Sequence, residues 1–360
     1  VILPQCPAIV SANAGDGPLT DMSFPLAADR SGPSRPLLRE ALRRNRLLLA
    51  GVAIHALAVS AALVVAGVPV RPGMVGVMTM MFSLLLPIYL FLLLVGRFWV
   101  MAVRVRPERP IPWLVADLRD RLFNAPTLLS GAISLVAVAL FASCFGLFKE
   151  AIPALNGFGW DPAFAGLDRL LHGGRDPYAL LLPLFGHPYA VTAFNIAYHM
   201  WFFVIYFGVF VAVFARRDGG AGMAYLLGFV LVWGIGGNLL AVLLSSAGPV
   251  YYQPLGLGAD FLPLREHLRA GAEVSPVWAL NVQDVLWDGY ANDGPVAGIS
   301  AMPSMHVASA TLAALYGFTF GRLAGWLLTA FAAVIQVGSV LLAWHYAVDG
   351  YAGILLALAA

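Results

Sequence analysis

Long apolar runs separated by short polar ones organise this chain. Leu47–Gly67, Met74–Gly96, Thr127–Phe148, Tyr189–Phe214, Ala221–Ser246, Pro303–Phe320 and Leu323–Trp344 are such runs. Each comes close to the ~20 apolar residues a helix needs to cross a hydrocarbon core about 30 Å thick. An eighth run starts near His345 and reaches Ala360. The pattern predicts an all-α integral membrane protein with about eight transmembrane helices. Composition supports it: 60% of the 360 residues are hydrophobic and 11% are charged, whereas a soluble domain carries about 25% charged residues.

The basic residues orient the spans, because cytoplasmic loops hold an excess of Lys and Arg. Arg30, Arg35, Arg39, Arg43, Arg44 and Arg46 precede the first run. Arg97, Arg104, Arg106, Arg109, Arg119 and Arg121 lie between the second and third, and Arg216, Arg217 and Arg322 follow the fourth and sixth; these are 15 of the 21 basic residues. Arg71, Lys149, Arg169, Arg175, Arg265 and Arg269 occupy the other side. A multi-pass cell-membrane protein follows, with a cytoplasmic N-terminus and with loops 149–188 and 247–302 facing outward. Three regions are expected: a disordered cytoplasmic segment, 1–46; a two-helix extension with a basic cytoplasmic loop, 47–126; and a six-helix core, 127–360. In loop 149–188 the residues around Trp160-Asp161 and Asp168-Arg169 suggest a short interfacial helix, and Tyr251-Tyr252 opens an aromatic cluster in the next loop.

The net charge of +2 offers no basic excess for nucleic acid. Cys6 and Cys144 build no disulfide framework. No Cys, His and carboxylate group has metal-ligand spacing, so neither a metal nor another cofactor is expected. The partners are then the bilayer and its lipids.

Polar groups in a membrane are costly and usually functional. Two stretches gather several at one depth: Met302-Pro303-Ser304-Met305-His306 and His345-Tyr346-Ala347-Val348-Asp349. His345 and Asp349 are four apart and would share a helix face, with the carboxylate orienting the imidazole. An inward and an outward helix of similar length separate His306 from His345, which returns both histidines to one membrane surface. A helix starting at Pro303, with Ser304 beside it, favours an anion such as phosphate at its N-terminus. A backed histidine, a second histidine and an anion cradle are parts for phosphoryl transfer. A transporter would instead place such groups near the midplane, which leaves a transporter or a non-catalytic lipid-binding membrane protein as the rival reading.

Met302–Ala308 and His345–Asp349 resemble the second and third signature motifs of the type 2 phosphatidic acid phosphatase superfamily. Within it they are most similar to the inositolphosphotransferase branch, which includes inositol phosphorylceramide synthases. The resemblance covers about residues 127–360, and the Trp160-Asp161, Asp168-Arg169 and Tyr198-His199 pairs also look like that branch. It implies a metal-independent His/His/Asp enzyme in which His345 attacks phosphorus and forms a phosphohistidine, Asp349 orients it, His306 protonates the leaving oxygen and Ser304 contacts phosphate. The donor would be a phospholipid or other lipid phosphate, and the acceptor a ceramide-like, inositol or other hydroxyl, or water. The cationic first motif of the soluble-headgroup phosphatases is absent near Ser246–Pro254, and Ser339 stands where an arginine is usual. Arg169, Arg175 or Lys149 would then meet the phosphate charge, with Tyr251, Tyr252 and His199 as candidate substrate contacts.

Overall fold

A computed structural model describes residues 35–121, 124–215, 220–294 and 296–360. In chain order the helices are α1 (Arg35–Arg44), α2 (Arg46–Ala66), α3 (Gly73–Trp99), α4 (Pro110–Arg121), α5 (Ala125–Leu155), α6 (Asp161–Leu171) and α7 (Pro177–Phe185). Then come α8 (Pro188–Val213), α9 (Ala221–Leu243), α10 (Leu262–Ala272), α11 (Trp278–Ala291), α12 (Met305–Phe318), α13 (Arg322–Leu341) and α14 (Ala347–Ala359). No strand occurs among the described residues.

Six helices are long and apolar enough to cross a membrane: α2, α3 with its π-helical continuation to Val105, α5, α8, α9 and α13. They mark a multi-pass membrane protein. The sequence pattern suggested about eight spans, but α12 and α14 have only 14 and 13 residues. At 1.5 Å per residue each is about 20 Å long. Both are short because the chain before them runs as irregular loops; His345 lies in one of those loops, and His306 in the first turn of α12.

The segment 1–46, expected to be disordered, contains α1. Its reason for folding is visible: Ala41 and Asn45 are buried. Asn45 Nδ2 donates to Ser130 Oγ at 3.0 Å, and Ser134 Oγ donates to Asn45 Oδ1 at 2.6 Å. A buried polar cluster of this kind needs every member paired, and here it fastens the α1–α2 junction to α5. Residues 1–34, with Arg30, and also Arg216 and Arg217 lie outside the described residues.

α12 sits centrally, against α13, α14, α8 and α9. Six of its nine buried residues are small (Ala308, Ser309, Ala310, Ala313, Ala314 and Gly317, beside Val307, Leu312 and Tyr316), which lets neighbouring backbones approach where lipid supplies no hydrophobic drive. α8 turns Asn195, Tyr198, Trp201, Ile205 and Val209 inward at helical spacing. Trp201 Nε1 donates to Ser309 Oγ at 2.9 Å, which fixes α8 against α12 one turn beyond His306. α5 joins this core to α2 and α3.

Candidate active site

α13 ends at Leu341, and the carbonyl of Ser339 accepts hydrogen bonds from Trp344 N and His345 N at 3.0 and 3.1 Å. The chain therefore turns before α14 begins at Ala347, and His345 lies in that turn. It does not share a helix with Asp349, as the four-residue spacing suggested. The two still meet: His345 Nδ1 lies 3.3 Å from Asp349 Oδ2. The same oxygen accepts from Tyr346 N at 3.0 Å, while Asp349 N donates to the Tyr346 carbonyl. A carboxylate three residues into a helix reaches back to the amides before it, and here it collects the imidazole as well. His345 Nε2 has no hydrogen-bond partner among the described residues.

His306 is the second residue of α12. Ser304 caps that helix, its Oγ accepting from Val307 N at 3.4 Å, and its own amide donates to the Asp349 carbonyl at 2.9 Å. The two motifs are thus joined through the backbone. The His306 ring is held between Tyr198, stacked with centroids 4.4 Å apart, and Trp201 at 4.0 Å. The centroids of His306 and His345 are 6.3 Å apart. Substituents on one phosphorus atom can reach both rings across such a gap.

α6 pins the loops around this pair. Asp168 accepts from Ala347 N and Val348 N at 2.8 and 2.9 Å, occupying the start of α14. Asp161 accepts from Ala247 N and Gly248 N, both at 2.8 Å, and from the Tyr346 hydroxyl at 2.9 Å. Burial pushes both carboxyl groups up from the ordinary range, and the amide donors oppose that by favouring the ionised form. Gly248 makes the crossing possible. Its φ is 97°, and a Cβ there would sit 2.5 Å from the Trp344 carbonyl oxygen. The stretch expected to lack a first-motif cation is therefore a backbone platform for Asp161.

A profile of the PAP2 superfamily matches residues 163–360, more than half of the chain. The chain belongs to the PAP2 superfamily. Membership suggests lipid phosphatase or phosphotransferase-type activity on lipid phosphates in membranes. Neither the curated proteins nor the solved structures give a match.

Within this PAP2 chain the other sequence candidates are scattered. Arg169 Nε donates to Asp176 Oδ1 and its Nη2 to Asp260 Oδ1, both at 2.8 Å, so the guanidinium is already engaged by two carboxylates. Arg175 is exposed, with no side-chain partner among the described residues. Tyr251 and Tyr252 are buried and not displayed as an interfacial cluster. Tyr251 donates to the Gln283 carbonyl at 2.9 Å, and Tyr252 packs on Phe261. Ser304 is fully buried, its hydroxyl used by its own helix. His199 is bonded to the Asn195 carbonyl at 2.8 Å and meets the Trp278 ring edge-on at 5.8 Å, with no contact to His306 or His345. Residues that sequence reasoning left without a role include Asp161 and Asp168 as pins, and Tyr198, Trp201 and Trp344 around the rings. A small cavity reaches His345 beside Asp168, Tyr178 and Phe261.

Proposed function

We propose that the chain is a lipid phosphotransferase of the inositolphosphotransferase type, working at the extracytoplasmic membrane surface through the core 127–360. The observation that carries this reading is the pairing of His345 Nδ1 with Asp349, which leaves Nε2 unbonded on a ring whose centroid is 6.3 Å from that of His306. A backed imidazole is the better nucleophile, and the carboxylate stabilises the cation that develops. In the first step the Nε2 lone pair attacks phosphorus, the bond to the leaving oxygen breaks, and His306 gives that oxygen its proton. In the second, His306 takes the proton of an acceptor hydroxyl, which attacks phosphorus and releases His345. The N-terminal dipole of α12 favours the anion beside His306. Water as acceptor would make the same site a lipid phosphate phosphatase. The missing first-motif cations favour the transferase.

The test is incubation of purified protein with labelled phospholipids, with and without ceramide-like and inositol acceptors, in the presence of EDTA. Acceptor-dependent transfer is expected in wild type. His345→Ala is expected to abolish it along with any acid-labile phosphoenzyme, and Asp349→Asn to cost several orders of magnitude. His306→Ala should slow poor leaving groups most, because an acidic departing oxygen needs less protonation. A folded His345→Ala protein with near-normal turnover would overturn the reading, and a non-catalytic lipid-binding protein would take its place.

A further inference from the structure

The site as described holds two histidines and a carboxylate but no paired cation for phosphate. Lys149, the only lysine in the chain, lies near the end of α5 that faces these loops. It is partly buried and has no hydrogen bond or ion pair among the described residues. One turn before it on the same helix, Phe145 packs on Trp233 with centroids 4.8 Å apart, and Trp233 stacks on Trp201, which covers the His306 ring. The adjacent Glu150 makes no ion pair with it: Glu150 Oε1 accepts from the Met74 amide at the start of α3, and Oε2 is buried without a hydrogen-bond partner among the described residues. The loop leading to His306 runs beside the stem: a Cβ on Gly298, whose φ is 116°, would be in ordinary contact with Lys149 Cγ at 3.5 Å.

Two donors on the rings stacked at His306 lack an acceptor. The Tyr198 hydroxyl and the Trp344 indole N–H are both buried and unpaired. Tyr198 stacks on His306, and Trp344 lies parallel to Tyr198 with centroids 6.4 Å apart. An indole N–H can only donate, and an unpaired buried donor or cation is expensive. A cation and two neutral donors without acceptors describe the complement of an anion with several oxygens. We infer that Lys149, with Tyr198 and Trp344, binds the non-bridging oxygens of the donor lipid's phosphate beside His306. This rests on the functional reading above, and it places the phosphate cation on α5, outside both histidine motifs.

Hydrogen bonds to charged groups are the stronger ones, so the effects should be large enough to read. The full-length protein in detergent is titrated with inorganic phosphate, with binding followed by the shift in melting temperature. Lys149→Met is expected to weaken phosphate binding at least tenfold, and Lys149→Arg to stay within a few-fold of wild type. Tyr198→Phe, which keeps the ring on His306, should weaken it several-fold. Because Lys149 is the only lysine, an amine-reactive ester followed by mass spectrometry of its peptide probes the unmutated protein. Phosphate should slow that acylation, and chloride at equal ionic strength should not. Unchanged phosphate affinity in Lys149→Met, or acylation indifferent to phosphate, would overturn the assignment. These binding measurements do not depend on turnover, so they stand apart from a failure to find the transferase reaction.

Discussion

Asp168 acts on the candidate nucleophile through the backbone. Its two oxygens hold the amides of Ala347 and Val348, the residues directly after the His345-Tyr346 turn. Asp168→Asn keeps the shape but presents an amide N–H to one of those donors. A lost bond to a charged group is worth about 1.5–3 kcal/mol, so kcat should fall roughly ten- to a hundred-fold. KM for the lipid donor should move little, since Asp168 does not touch phosphate in this scheme. A matching rise in KM would instead make Asp168 part of the binding surface. The sequence displays Asp168 beside Arg169, where the arginine attracts attention as a phosphate ligand. The structure reverses the emphasis, because Arg169 is satisfied by Asp176 and Asp260. Which acid meets which amide across 179 residues is a tertiary fact, and hydrophobic periodicity contains no trace of it. The His345–Asp349 contact was legible because it is local. Its helical interpretation was not, since nothing in the spacing distinguishes one helix face from a turn whose next helix carries the acid in its first turn.

At the scale of an element, α6 is amphipathic with its acids buried. Asp161, Phe164, Ala165 and Asp168 face the protein, while Leu170 and Leu171 are 77% and 58% exposed, beside exposed Trp160 and Leu167. An apolar face left bare in a membrane protein suits the lipid boundary. Replacing Leu170 and Leu171 together by Glu removes two side chains worth about 1.5–3 kcal/mol each on burial in an apolar phase. Turnover of a bilayer-embedded donor should drop about tenfold or more, and that of a short-chain soluble donor should remain near wild type. Equal losses on both substrates would mean the face serves folding and not lipid contact. The short helix itself was readable from the Trp, Asp and Leu pattern. The reduced lengths of α12 and α14 were not, because the apolar composition runs on through Met302 and Trp344, where loop geometry replaces helix.

For the whole molecule, the expected orientation rests on charge asymmetry, with 15 basic residues expected on one side and six on the other. Single cysteines placed at Arg175 or Arg269, in a chain whose Cys6 and Cys144 are replaced, should react with an impermeant thiol reagent from outside the cell. One at Arg109 should react only after permeabilisation. The opposite pattern would turn the candidate site toward the cytoplasm. The α2–α3 hairpin belongs to this global arrangement. Arg71, between the two helices, pairs with Asp293 and donates to the Gly289 carbonyl, and Met74 Cε would lie 3.3 Å from a Cβ on Gly298. The extension thus braces the loop that leads to His306.

The bond from Ser304 N to the carbonyl of Asp349 has a consequence for how the protein is made. Residues joined by it leave the ribosome 45 positions apart, and the amide waits for its acceptor until α14 has been synthesised. Asp168 waits longer still for Ala347 and Val348. The bonds that join the two histidine motifs draw on α14, so a nascent chain has its earlier spans in lipid before those motifs meet. The two histidines cannot be brought together until α14 has been made and packed against α12.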